Sequence, residues 1–185
     1  MAIPKSTLIY DIECGTNGAS VKDISKHSLA FFGAYSYKTG EYYCYSYKER
    51  DKIGALIDDH KFLVGFNIKN YDNPIIQASG YKLEYKYFVD LFRIIEHRMH
   101  VVIVDGTLLA YKLNSLSLDS ITRALKLAKD DEEAKQKIDY KIFDKTEWTF
   151  EEEKQIKEYV KRDIDLTIKL NVWVHEQFDS WKFHL

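Results

Sequence analysis

Residues 7–14 read TLIYDIEC, a nearly unbroken apolar and β-branched run with two acids, Asp11 and Glu13, set inside it. A run of this kind without strict alternation suits a strand buried on both faces of a sheet, as in layered α/β folds. Acids are out of place there. Standing two apart, Asp11 and Glu13 leave the same face of the strand, where like charges repel and unpaired burial is costly or forces a proton onto one of them. Taken alone, a D-x-E pair is most simply a solvated strand end with both acids at the rim. The alternative is that cations or hydrogen-bond donors meet them.

Working outward, residues 28–37 (SLAFFGAYSY) and 41–47 (EYYCYSY) flank the turn Lys38-Thr39-Gly40 and predict a β-hairpin, so three antiparallel strands open the fold. A short helix over 51–59 and a buried strand over 61–67 (KFLVGFN) follow. Pro74 suits the first position of the next helix, with Asn73 as N-cap and Asp72 just outside, and that helix ends near Gly80. Strand-like pieces YFVDL and VVIVDGT surround a helical charged segment over 93–100. Leu118, Ile121 and Leu125 have the spacing of an amphipathic helix over 116–129, and the charged stretch 130–145 reads as a mobile excursion. Thr149 caps a last helix over 151–173 whose inward face carries Ile156, Val160, Ile164 and Thr167. This order predicts an α/β domain over 1–185, a mixed sheet flanked by helices.

Composition narrows the chemistry. The chain has 185 residues, 45% hydrophobic, enough for one sizeable core. With 27 Lys and Arg against 29 Asp and Glu it has no overall basic field, so a polyanion must be held by a local basic rim or by bound cations. Two cysteines, Cys14 and Cys44, exclude a disulfide scaffold, and the histidines, His97 and His100 included, show no zinc-binding spacing. The opening MAIPKSTLIYD has no signal-peptide core, and no segment approaches ~18 consecutive apolar residues. A soluble, intracellular protein without a membrane partner is expected.

Asp163 sits on the inward stripe of the last helix, where an acid calls for a metal or a basic partner. Tyr159 lies one turn earlier on the same side. Asp165 points away and reads as an ordinary salt-bridge residue. Asp72, in the turn between a buried strand and a Pro-started helix, is either a cap or a residue aimed at the strand ends, where open α/β sheets place their ligands. Singly, none of these residues decides the matter.

Together they form a pattern. Asp11-Ile12-Glu13, then Asn67-x-x-x-Tyr71-Asp72, then Tyr159-x-x-x-Asp163 resemble, in order, the three motifs of DEDD 3′-5′ exonucleases with a ribonuclease H-like fold, in the branch that carries Tyr in the third motif. The segments VGFNIKNYDNPII and LNSLSLDSITRALKL are most similar to the proofreading exonuclease domain of family B DNA polymerases. The resemblance runs from about Thr7 to Leu170. The chain departs from the pattern at Tyr71, where the family often has Phe, and in the stretches 130–145 and around His97 and His100.

The resemblance implies two divalent ions, Mg²⁺ or Mn²⁺, at one site: Asp11 bridging both, Glu13 and Asp163 completing the nucleophile-side metal, and Asp72 holding the second. Tyr159 would position the attacking water. Asn67 would touch the nucleotide, and the backbone at Cys14 the 3′ end. Lys82, Lys86, Lys112, Lys126 and Lys129 are candidate backbone contacts. The implied activity is hydrolysis of single-stranded or frayed DNA from the 3′ end, releasing nucleoside 5′-monophosphates, with a separate DNA polymerase or replication protein as a possible partner in proofreading, repair or replication. The alternatives are an RNA-directed exoribonuclease, since metal ligands do not report on the 2′-hydroxyl, and a non-catalytic nucleic-acid-binding module on the same fold.

Overall fold

The computed structural model describes residues 2–20, 23–98, 103–104, 107–108, 116–128 and 138–178. Strand β1 (Thr7–Gly15) is the centre of a five-stranded sheet ordered β3-β2-β1-β4-β5. It pairs antiparallel with β2 (Ser28–Ser36), which pairs antiparallel with β3 (Glu41–Ser46), while β4 (Phe62–Gly65) and β5 (Tyr87–Asp90) run parallel to it. The sheet is therefore mixed and flanked by helices, as the sequence order predicts. Alternation along β1 divides the core. Ile9 joins Phe31, Val64 and Val89 beneath the long helix α5 (Phe150–Phe178), whereas Leu8, Tyr10 and Ile12 pack on the opposite side. That opposite layer is closed by α1 (Arg50–Asp58), through Ile53 and Ile57, and by α2 (Asp72–Ala78), through Ile75 and Ile76.

Helix α5 forms as its sequence predicts. The Thr149 hydroxyl accepts the Glu152 N–H (3.2 Å) and the Glu152 carboxylate accepts the Thr149 N–H (3.0 Å), a reciprocal cap. Ile156, Val160, Ile164 and Thr167 are all buried. Gly33 of β2 is what lets this helix approach, for a Cβ there would stand 2.0 Å from Val160 Cγ1.

Three expectations need correction. Helix α2 begins at Asp72, not beyond it, and Asn73 does not cap it: its side chain accepts the Tyr10 hydroxyl beneath the sheet. The chain has already reversed there, with the Asn73 N–H donating to the Ile68 carbonyl (2.9 Å), so Pro74 falls among the first-turn residues whose N–H needs no intrahelical partner. Helix α4 spans only Leu118–Ala124, capped by Ser117 and stopped where Lys126 turns left-handed (φ 56°) and the Leu127 N–H returns to the Thr122 carbonyl. The charged stretch is not wholly an excursion, because Tyr140–Asp144 forms a 3₁₀ turn with Ile142 and Phe143 buried against the sheet. Apolar residues sparsely spaced among charges hide this anchor from periodicity.

Helix α3 (Leu91–Arg98) covers the described part of the helical segment expected over 93–100 and starts two residues earlier, at Leu91. Ile103–Val104 (β6) and Thr107–Leu108 (β7) form a small antiparallel ladder. His100, Lys112, Lys129 and residues 130–137 lie outside the described residues. Lys86 is structural: its ammonium donates to the Asp58 and His60 carbonyls (3.1 and 2.8 Å). Among the described residues no helix is long and apolar enough to cross a membrane, and Cys14 and Cys44 are free thiols.

Candidate active site

The site lies where the sheet's parallel half ends. Strand β4 pairs with β1 only from Thr7 to Ile9, so β1 runs on past it with an open edge at Asp11–Glu13. Opposite them in register on β2 stand Gly33 and Phe31. Asp11 and Glu13 project to the α5 side, and α5, seated on Gly33 through Val160, brings Asp163 to them. One ligand oxygen from each of Asp11, Glu13 and Asp163 lies within 4.8 Å of the others.

Asp72 reaches the same place from the other direction. It is not within that triad, yet it lines the same cavity, about 640 Å³, together with Asp11, Glu13, Asp163 and Tyr159. The Ile12 backbone N–H lies near its carboxylate, while its Oδ1 is buried without a hydrogen-bond partner. Burial raises its pKa to about 7, its own and the Ile12 N–H oppose that, and Asp90 adds to the rise. Asp11 and Glu13 are also pushed well above the carboxylate range, first by burial and then by the other acids: Asp72 and Asp163 for Asp11, Asp11 foremost for Glu13.

Such a cluster is stable only if its charge is met. All four donors are hard oxygens, three converge within reach of one ion, and the fourth offers an unpartnered buried oxygen. These residues fit a divalent cation of the hard class. The guanidinium of Arg162 also enters, reaching Asp163 Oδ1 (3.0 Å) and Asp119 Oδ1 (2.9 Å).

Tyr159 is buried at the cavity wall, its hydroxyl 3.1 Å from that of Tyr140. Its pKa is raised far above that of an ordinary phenol, by burial first and then by Asp163 and Glu13, so it is a neutral hydrogen-bonding group at any ordinary pH. Asn67 lines the cavity in a left-handed conformation (φ 60°) that Asn tolerates better than most residues. Cys14 follows an irregularity in the β1–β2 register; its thiol packs in the layer opposite the acids, and burial pushes its pKa up.

The sequence reading missed several residues that build the site. Asp90 ends β5 and its carboxylate accepts the N–H groups of Asn67 (2.8 Å), Lys69 (3.0 Å) and Phe92 (3.1 Å), which fixes the loop leading to Asp72. An acid closing the apolar run YFVD was the available signal. Asp144 does the same for the loop after β1, accepting the Thr16 and Asn17 N–H groups (2.6 and 2.9 Å). The Tyr71 hydroxyl is hydrogen-bonded to His27 Nδ1 (2.9 Å). Asp165, as expected, is an ordinary salt-bridge residue, pairing with Lys161 (2.7 Å) and accepting the Tyr42 hydroxyl of β3.

A family model describing the RNase H superfamily matches residues 8–175. The chain belongs to the RNase H superfamily. Among solved structures, this RNase H superfamily chain is similar to the family B DNA polymerase of the hyperthermophilic archaeon Pyrobaculum calidifontis, with a TM-score of 0.65 and 15% identity. The alignment covers 91% of this chain and 24% of the polymerase, so the likeness is one of fold over about a quarter of that protein. No curated protein matches.

Proposed function

We propose that the chain, as one domain over residues 1–185, is a metal-dependent 3′-5′ exonuclease that removes nucleoside 5′-monophosphates from single-stranded or frayed DNA ends. The observation that carries the reading is the convergence of Asp11, Glu13 and Asp163 within 4.8 Å, with the unpartnered Asp72 oxygen on the same cavity wall. Asp11, Glu13 and Asp163 would hold one divalent cation, Mg²⁺ or Mn²⁺, and Asp11 with Asp72 a second. Bound there, such ions activate water and neutralise charge on the attacking and leaving oxygens of a phosphodiester.

The protein's own groups do the rest. Tyr159, held protonated by burial and its acidic neighbours, orients the attacking water by hydrogen bonding and does not act as the base. Tyr140 fixes its hydroxyl. Asn67, its backbone N–H committed to Asp90, presents its side-chain amide to the terminal nucleotide, and the backbone at Cys14 meets the 3′ end. The cavity is lined by Phe66, Tyr71, Phe92 and Leu116, surfaces on which an unpaired base can stack. A separate polymerase or replication protein is the partner such an enzyme would serve.

The test is a 5′-labelled oligonucleotide, as DNA and as RNA, incubated with Mg²⁺, Mn²⁺ or EDTA. A descending ladder on DNA that requires metal and is lost in Asp11→Ala and Asp163→Ala supports the reading. A ladder on RNA alone shifts the substrate class, and binding without cleavage under every metal condition overturns the enzymatic assignment.

A further inference from the structure

The acid cluster is bordered by one guanidinium that the proposed chemistry does not use. Arg162 immediately precedes Asp163 on α5, yet its side chain folds back so that Nη1 lies 3.0 Å from Asp163 Oδ1 and Nη2 lies 2.9 Å from Asp119 Oδ1. Both acids and the guanidinium are largely buried, with side chains 16–20% exposed. The other Asp119 oxygen, Oδ2, accepts Arg123 Nε (3.1 Å), so Asp119 is a fixed anchor on α4. Arg162 does not line the cavity. Its contact with the acid triad is the one to Asp163.

We propose that Arg162 is a built-in counter-ion for the carboxylate cluster, shared between Asp163 and Asp119, which competes with the incoming divalent cation for Asp163 and is drawn back by Asp119 when the cation binds. The inference rests on the metal-site reading above. Its logic is electrostatic: a positive charge on one oxygen of Asp163 relieves the repulsion among buried carboxylates, and the same charge opposes a divalent ion at that residue. Asp119 sets the balance, because a guanidinium shared between two carboxylates holds each less tightly than one it holds alone. Arg162 is thus a positioning residue that tunes metal affinity, and the two partners act in opposite directions. Arg162→Gln removes the competitor and tightens metal binding; Asp119→Asn removes the pull of Asp119 on Arg162, strengthens its hold on Asp163 and weakens metal binding.

The probe is Mn²⁺ alone, titrated into the full chain without nucleic acid and followed by the loss of the free-ion EPR signal. Arg162→Gln should bind Mn²⁺ on the order of tenfold more tightly than the native chain, and Asp119→Asn several-fold more weakly. Arg162→Lys, which keeps the charge, should stay close to native affinity. If Arg162→Gln binds equally or more weakly, or if both variants shift in the same direction, Arg162 merely braces α4 on α5 and the inference is overturned. Should Arg162→Gln not fold by circular dichroism, Asp119→Asn decides alone, an unchanged or tighter affinity refuting the idea. Absence of saturable Mn²⁺ binding by the native chain, or binding unaffected by Asp163→Asn, would instead sink the metal site itself.

Discussion

Asp72 offers the sharpest quantitative test, because its isolation predicts that removing its charge stabilises the metal-free protein. Burial lifts its pKa from 3.8 to about 7, a cost of charging in the fold that, at ~1.4 kcal/mol per pH unit, has a ceiling on the order of 4 kcal/mol. The sign follows from proton counting. Between about pH 4 and 7 the folded protein retains a proton on Asp72 that the unfolded chain has lost, so its contribution to stability is full at low pH, falls through that window, and is flat above. In EDTA at pH 8, Asp72→Asn should therefore be more stable than the native chain by about 1–4 kcal/mol, a rise in Tm of roughly 2–4 °C per kcal/mol for a protein of this size. The difference should vanish near pH 4. Saturating Mn²⁺ should narrow that gap, since at 100-fold excess over Kd a ligand adds about 2.7 kcal/mol to the form that binds it. Thermal denaturation by circular dichroism at pH 4, 6 and 8, with and without Mn²⁺, reads all of this. An Asp72→Asn protein less stable than native in EDTA at pH 8, or one stabilised by Mn²⁺ as much as native, refutes the reasoning.

Other perturbations follow from the same geometry. Gly33→Ala places a Cβ 2.0 Å from Val160 Cγ1, so α5 must lift; a loss of about 1–3 kcal/mol by chemical denaturation is expected, with weaker Mn²⁺ binding because Asp163 moves with the helix. Asp90→Ala strands the backbone N–H groups of Asn67, Lys69 and Phe92; a destabilisation of about 2–4 kcal/mol and faster amide exchange over 66–72 should appear, while Asp90→Glu fails to restore the loop. Tyr159→Phe should fold as native and bind Mn²⁺ normally, with cleavage slowed by about 10²-fold and no change in its acid limb between pH 5 and 8. A tyrosine acting as base would instead alter the pH profile.

The layered architecture was legible because β1 carries its own contradiction: an apolar run buried on both sides, with two acids on one face. The same holds for α5, whose cap at Thr149 and stripe through Ile156, Val160 and Ile164 are local signals. What the sequence could not show was set by distant contacts. Asn73 has every property of an N-cap, and only the Tyr10 hydroxyl beneath it explains why it does another job. Ile142 and Phe143 sit in a run of charges whose average polarity masks two buried side chains. Asp90 and Asp144 act on backbone N–H groups 21–23 and 127–128 residues away, a service with no spacing rule. All four acids were singled out by their placement on a strand, a turn or a helix face and gained weight from the order of the motifs, and the structure seats Asp72 beside the triad and not within it.

The seat of α5 on Gly33 makes the acid set a late event in the life of the chain. Asp11 emerges from the ribosome early, but its partner at position 163 is synthesised some 150 residues later, roughly 8–30 s at ordinary elongation rates, and must then dock before the oxygens meet. A nascent or truncated polypeptide ending short of that helix would hold its sheet acids without Asp163. The fold thus withholds the full set of clustered acids until α5 has been made and docked.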